Sequence, residues 1–280
     1  MNTCAHCGKE HSDQQSACLI DDERQSVEAS VTTAPAQAPI AANDMIAVTG
    51  TPLPDRRLQI FEVILVCAIA FGSSVIYSIA ILYGADFGSS GKGAVYWTTS
   101  AIHEVTGLAL VWYVLRRRSV TLTDLGLSFR KTDFGLSLLL WLSGSLLYYG
   151  SYAAIYATGF ASNEAAAAVK DVGQKLFHGG ISVMTVLFVF VNPFFEELIV
   201  RAYFITQVRH ITNSTLIAVA LSVLLQMTYH LYQGVPLALS SAALFLLFSI
   251  YYAKTNRIGP IILAHLYFDL LATLSFMRHG

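Results

Sequence analysis

Six residues in the second half of the chain have the types and spacing of catalytic groups: Glu196, Glu197 and Arg201 in "EELIVR", His230 in "LLQMTYHLYQG", and His265 and Asp269 in "HLYFD". A carboxylate and an imidazole together can hold a water and take its proton, and a second imidazole can steady the negative charge that follows. These are the parts of a hydrolase. On a helix, at about 100° per residue, Glu197 and Arg201 are i and i+4 and pair on one face. Glu196 points about a quarter turn away from that pair and is left without a local partner. Gln226 falls one turn before His230 on the same face, and His265 and Asp269 are again i and i+4. The bland alternative is structural: a Glu–Arg cluster joining helices and histidines that only pack.

All six lie inside long apolar runs, and that raises what they must do for the molecule. A charged group at membrane depth costs about 2.5 to 3.5 kcal/mol even on the lenient insertion scale, so such groups have partners, a chemical use, or both. The composition indicates lipid as the medium: charged residues are 12% of the chain and apolar residues 55%, against about 25% charged in soluble domains. Net charge is -1 with no basic stripe, which argues against nucleic acid as a partner. Seven apolar spans are read, at residues 58–83, 94–115, 135–158, 181–205, 214–233, 236–253 and 258–277, each near the ~20 residues that cross a bilayer as helix. The fifth and sixth are separated by "YQGVP", a Gly-Pro break compatible with a broken or re-entrant segment. Three spans that each carry ionisable groups are expected to converge on one interior site, since lipid-facing placement is prohibitive.

The loops set an orientation. Ten basic residues (Arg56, Arg57, Arg116, Arg117, Arg118, Arg130, Lys131, Arg209, Lys254 and Arg257) fall on one side of this count and four (Lys92, Lys170, Lys175 and Arg278) on the other. The richer side is expected to be cytosolic, which puts the N-terminal tail inside and the C-terminus outside. Residues 26–57 read as a flexible linker, and "EAAAAVKDVGQKLF" between the third and fourth spans as an amphipathic helix at the interface. The triple Arg of "LRRRS" reads as a cytosolic anchor that can also meet anionic head groups. His103 and Glu104, inside the second span, are not a zincin motif, because Gly107 stands where the second His of H-E-x-x-H would be. An interhelical hydrogen bond or a lining of the water route is the preferred reading of this pair.

Residues 1–25 pose a separate question. Cys4 and Cys7 have C-x2-C spacing, and Cys18 with Asp21 repeats it. The pattern is that of a small zinc ribbon whose last Cys has become Asp, with His6 or His11 as an alternative fourth ligand. A metal-free remnant is the equal alternative. Cys67, alone in the first span, reads as packing.

Over residues 135–277 the sequence resembles the CAAX-protease and bacteriocin-processing family of intramembrane endopeptidases, also called the Abi family. The family's Glu-Glu-x-x-x-Arg matches Glu196, Glu197 and Arg201; its Phe-x-x-x-His matches only at His230, with Gln226 in place of Phe; its His-x-x-x-Asn or Asp matches His265 and Asp269. The resemblance implies water-mediated peptide cleavage within the membrane. Glu196 and His230 would activate the water, and His265 would stabilise the oxyanion with Asp269 orienting it. An ionised Asp has no proton to donate, which is why orientation is preferred for Asp269. No cofactor is expected at this site, and zinc held by Glu196, His230 and His265 is the alternative. The whole chain is therefore expected to be an all-α polytopic membrane protein with a domain of about seven helices over 58–277, in the cell (inner) membrane. Its expected partners are lipid and a membrane-associated peptide or protein substrate, not nucleic acid. The rival reading is a non-catalytic immunity or sensor-binding protein on the same fold; a transporter is the weaker third, since the spans show no internal repeat.

Overall fold

This computed structural model describes residues 2–3, 10–11, 55–84, 94–160 and 181–279. The chain divides into two units, Met1–Ile40 and Ala41–Gly280. In the first, strands β1 (Asn2–Thr3) and β2 (Glu10–His11) pair antiparallel, with Asn2 opposite His11 and Thr3 opposite Glu10. Cys4, His6, Cys7, Cys18 and Asp21, the expected zinc ligands, lie outside the described residues, as do most of the linker and the expected interfacial helix.

In the second unit the described regular structure is entirely helical. Helices α1 (Arg56–Leu82), α2 (Ala94–Arg117) and α3 (Lys131–Ala157) precede a continuous rod made of α4 (Val183–Glu196), a π-helical segment (Glu197–Tyr203) and α5 (Phe204–Thr212). After it come α6 (Thr215–Tyr229), a 3-10 turn (Leu231–Gln233), α7 (Val235–Thr255) and α8 (Gly259–His279). Each of the seven apolar spans thus falls on a helical stretch. Four of these are long and apolar enough to cross a membrane: α1, α3, the Val183–Thr212 rod and α7. Their outward faces carry Ile64, Leu139, Leu146, Val183 and Ile250 exposed, a surface that water would not tolerate and lipid would. Helix α6 has 15 residues, which at 1.5 Å per residue is about 22 Å, shorter than a ~30 Å hydrocarbon core.

Local signals account for the boundaries. Ser182 caps α4 by accepting from the Thr185 N–H at 3.1 Å, and Ser214 caps α6 by accepting from Ile217 at 3.3 Å. Asn213 and Asn256 end α5 and α7 in the left-handed conformation. Pro193, inside α4, has no N–H to give to the helical ladder, and four residues later the backbone shifts to the wider i→i+5 pattern.

At the end of the bundle bearing the basic loops, side chains bind the helices together. Arg118 pairs with Glu62 of α1 and donates to Gln207 Oε1 of α5 at 2.6 Å, so it faces inward, unlike the lipid anchor read from the sequence. Arg257 pairs with Asp133 at the start of α3. Gly126 has φ 81°, and a Cβ there would lie 1.8 Å from the Asn256 carbonyl oxygen, so only glycine fits this contact between loops. The rod is the centre of the core: every residue from Glu197 to Tyr203 is buried, with α2 along α4, α6 along α5, and α8 against α4.

Candidate active site

The two adjacent carboxylates straddle the junction of α4 and the π segment and face two different helices. Glu196, the last residue of α4, addresses α6: its Oε2 accepts from the Gln226 Nε2–H at 2.9 Å and from the Tyr229 hydroxyl at 2.8 Å. Glu197, the first residue of the π segment, addresses α8: its Oε1 accepts from His265 Nδ1 at 2.7 Å. Its other oxygen lies 2.8 Å from Arg201 Nη1, an i,i+4 ion pair with both side chains buried, whose angle falls short of a hydrogen bond. The Arg201 guanidinium is 5.6 Å from the ring centroids of both Phe245 and Phe248, so aromatic faces supply what water cannot. Arg201 also donates to Gln226 Oε1. An arginine only donates, so the Gln226 oxygen must face it and the Gln226 N–H must face Glu196.

The polar groups therefore form one continuous chain across three helices. It runs from Tyr229 to Glu196, Gln226, Arg201, Glu197 and His265, then to Asp269, whose Oδ1 lies 3.6 Å from His265 Nε2. Asn192 closes it, donating from Nδ2 to Asp269 Oδ2 at 3.0 Å. His230 sits where α6 ends, and its Nδ1 lies 2.9 Å from the Gln226 carbonyl oxygen. A carbonyl only accepts, so Nδ1 carries the proton and, in the neutral ring, Nε2 keeps a free lone pair. His230 and Glu196 act on each other electrostatically, with no direct hydrogen bond between them.

All six sequence-read residues meet in this cluster, with differences of detail. His265 is held at Nδ1 by Glu197 at 2.7 Å, and Asp269 lies 3.6 Å from its Nε2, within ion-pair reach but beyond hydrogen-bond length. Glu196 has two partners, both distant in sequence. Sequence reading missed Asn192 and Tyr229, and it placed Gln226 on the face of His230 and as a departure from a motif without giving it a partner. The available signals were positions: Asn192 is one turn before Glu196 and Tyr229 adjoins His230. His103 donates from Nε2 to the Ala70 carbonyl of α1 at 2.9 Å, the interhelical bond preferred for it. Glu104 is buried, its Oε2 has no hydrogen-bond partner, and it acts electrostatically on Glu196, Asp269 and His265. Helix α2 comes this close because Gly107 has no side chain: a Cβ there would lie 2.5 Å from the Phe195 ring.

Among the described residues no three His, Cys, Asp or Glu side chains are grouped so as to hold a metal ion. A cavity of about 590 Å³ lies between α2 and α4 and is lined by Leu108, Trp112, Phe190 and Phe194 among others, none of them a member of the polar chain.

Residues 178–271 match the family model described as type II CAAX prenyl endopeptidase Rce1-like. Over that stretch the chain is CAAX-protease-like. No curated protein and no solved structure matches the chain. The matched residues begin in the segment before α4, later than the resemblance read from residue 135, and include Asn192, all six motif residues and Gln226. Helices α1 to α3, and with them Glu104, fall outside the match. Four helices long and apolar enough to cross a membrane, with the similarity to the Rce1-like model over 178–271, support an integral membrane protein.

Proposed function

We propose that the protein is an intramembrane endopeptidase that cleaves a membrane-associated protein or peptide with a water activated by Glu196 and His230. The observation that carries this reading is the convergence of Glu196, His230 and His265 from three helices onto one buried polar chain inside the Rce1-like stretch. Glu196 takes one proton of the water, and the His230 Nε2 lone pair accepts a hydrogen bond from the other. The hydroxide so formed attacks the scissile carbonyl carbon. As the imidazolium, His265 has a second N–H at Nε2 to stabilise the oxyanion while Glu197 holds Nδ1. The proton on Glu196 then passes to the leaving amine as the C–N bond breaks. The Glu197–Arg201 pair fixes the frame. The metal-free route is preferred; the zinc alternative would draw on the same Glu196, His230 and His265.

The non-catalytic alternative drew its support from Gln226, which stands where the family has Phe. That support weakens here, because Gln226 donates to Glu196 and so fits a working base. Full-length protein in nanodiscs, given a prenylated CAAX peptide and an unprenylated membrane peptide, tests the reading. Glu196→Gln should lower cleavage by about 10²-fold or more with normal accumulation of folded protein. Cleavage that survives Glu196→Gln sinks the base assignment, and loss of wild-type cleavage with chelator favours the metal route.

A further inference from the structure

Asn192 lies one helical turn before Glu196, so the two side chains leave α4 on the same face. It is half-buried, and its Nδ2 donates to Asp269 Oδ2 at 3.0 Å. An ionised carboxylate has no proton to give, so the amide nitrogen faces Asp269 and the amide oxygen turns away. That nitrogen carries two N–H groups. One is taken by Asp269, and among the described residues the side chain makes no other hydrogen bond.

Charge stabilisation at this site needs donors near the base, and few groups qualify. Arg201 is fully enclosed behind Glu197 and Gln226. Asp269 when ionised has nothing to donate. His265 has an N–H at Nε2 only as the imidazolium, since Nδ1 is committed to Glu197. The Asn192 amide donates in every protonation state, and Asp269 sits between it and His265, with one oxygen toward each.

We propose that Asn192 is a catalytic residue: its second Nδ2–H donates to the scissile carbonyl oxygen alongside His265, and Asp269 holds the amide in that position. The inference rests on the endopeptidase reading. When hydroxide adds to the carbonyl carbon, the C=O π pair moves to oxygen, where the two N–H donors meet it. The pair returns as the C–N bond breaks and the amine leaves with the proton from Glu196.

The test is an exchange of the two groups in the full chain, in nanodiscs, with peptide cleavage, melting temperature and the split between kcat and KM read for each variant. Asn192→Ala should lower kcat by about 10² with KM nearly unchanged, as for loss of one oxyanion donor. Asn192→Asp, which faces two carboxylates together, should fall at least as far. The double variant Asn192→Asp with Asp269→Asn keeps the amide–carboxylate bond and returns an amide N–H from the other side, so it should recover to within about tenfold of wild type. An Asn192→Ala protein with unchanged kcat overturns the proposal. So does a stably folded double variant as inactive as Asn192→Asp, or a loss confined to KM. Glu196→Gln runs in parallel: if it also cleaves, the assignment of Glu196 as the base falls, whereas its inactivity beside a fully active Asn192→Ala refutes this inference alone. A wild-type protein that cuts neither peptide overturns both.

Discussion

Glu197 and Gln226 each serve two neighbours, and their substitutions should separate stability from turnover. Arg201→Ala leaves Glu197 buried without its cation and Gln226 Oε1 without its donor, which should cost roughly 3 to 5 kcal/mol and lower the melting temperature together with activity. Gln226→Met keeps the length of the side chain but removes both hydrogen bonds. It should cost less, about 1 to 3 kcal/mol, and reduce cleavage beyond what the drop in folded protein explains. Thermal melts and cleavage rates on the two purified variants check this, and equal stability losses would remove the distinction between ion pair and bridge. At this scale the sequence was informative about identity and poor about partnership. The i,i+4 spacing made the Glu197–Arg201 pair legible. It could not show that Glu197 hydrogen-bonds His265, because that contact joins residues 68 positions apart. Asn192 and Tyr229 carry no charge to mark them in an apolar run, so nothing singled them out before the helices were packed.

Among the elements, the rod from Val183 to Thr212 contributes most to the site, and its geometry departs from the regular helix that the apolar run implied. The length of the apolar run placed the rod to within a few residues at its start, since such a run has no option but helix in lipid. It could not reveal the π segment, which begins four residues after Pro193 and leaves the apolar pattern unchanged. Nor did it explain Gly107, which looked like an interrupted motif and is instead a contact point between α2 and α4. Phe195 cannot swing aside there, being buried and packed 5.3 Å from the Phe71 ring. Gly107→Leu should therefore push α2 off the rod at a cost of about 1 to 3 kcal/mol. Activity should fall with it, because Phe195 adjoins Glu196. A Gly107→Leu protein with wild-type melting temperature and turnover would show that the two helices can separate without consequence.

For the whole molecule, the basic residues of the loops give an orientation that we carry forward as a proposal, ten charges against four. Reporter fusions after Arg118 and Lys254 should both read as cytosolic and one after Lys92 as external; an external signal from the Arg118 fusion would reverse the assignment. The seven apolar runs were legible and fall on helical stretches, of which four have the length and apolarity to cross alone; α6, with 15 residues, is apolar but short. The polar chain that joins three helices has a further consequence for how the protein is made. The donors to Glu196 are synthesised 30 and 33 residues after it, and the histidine beside Glu197 comes 68 residues after it. When the rod leaves the ribosome, Glu197 can already neutralise Arg201 within its own turn, while Glu196 has nothing. The partnering of Glu196 therefore waits for α6, and the polar chain is complete only once α8 has been made.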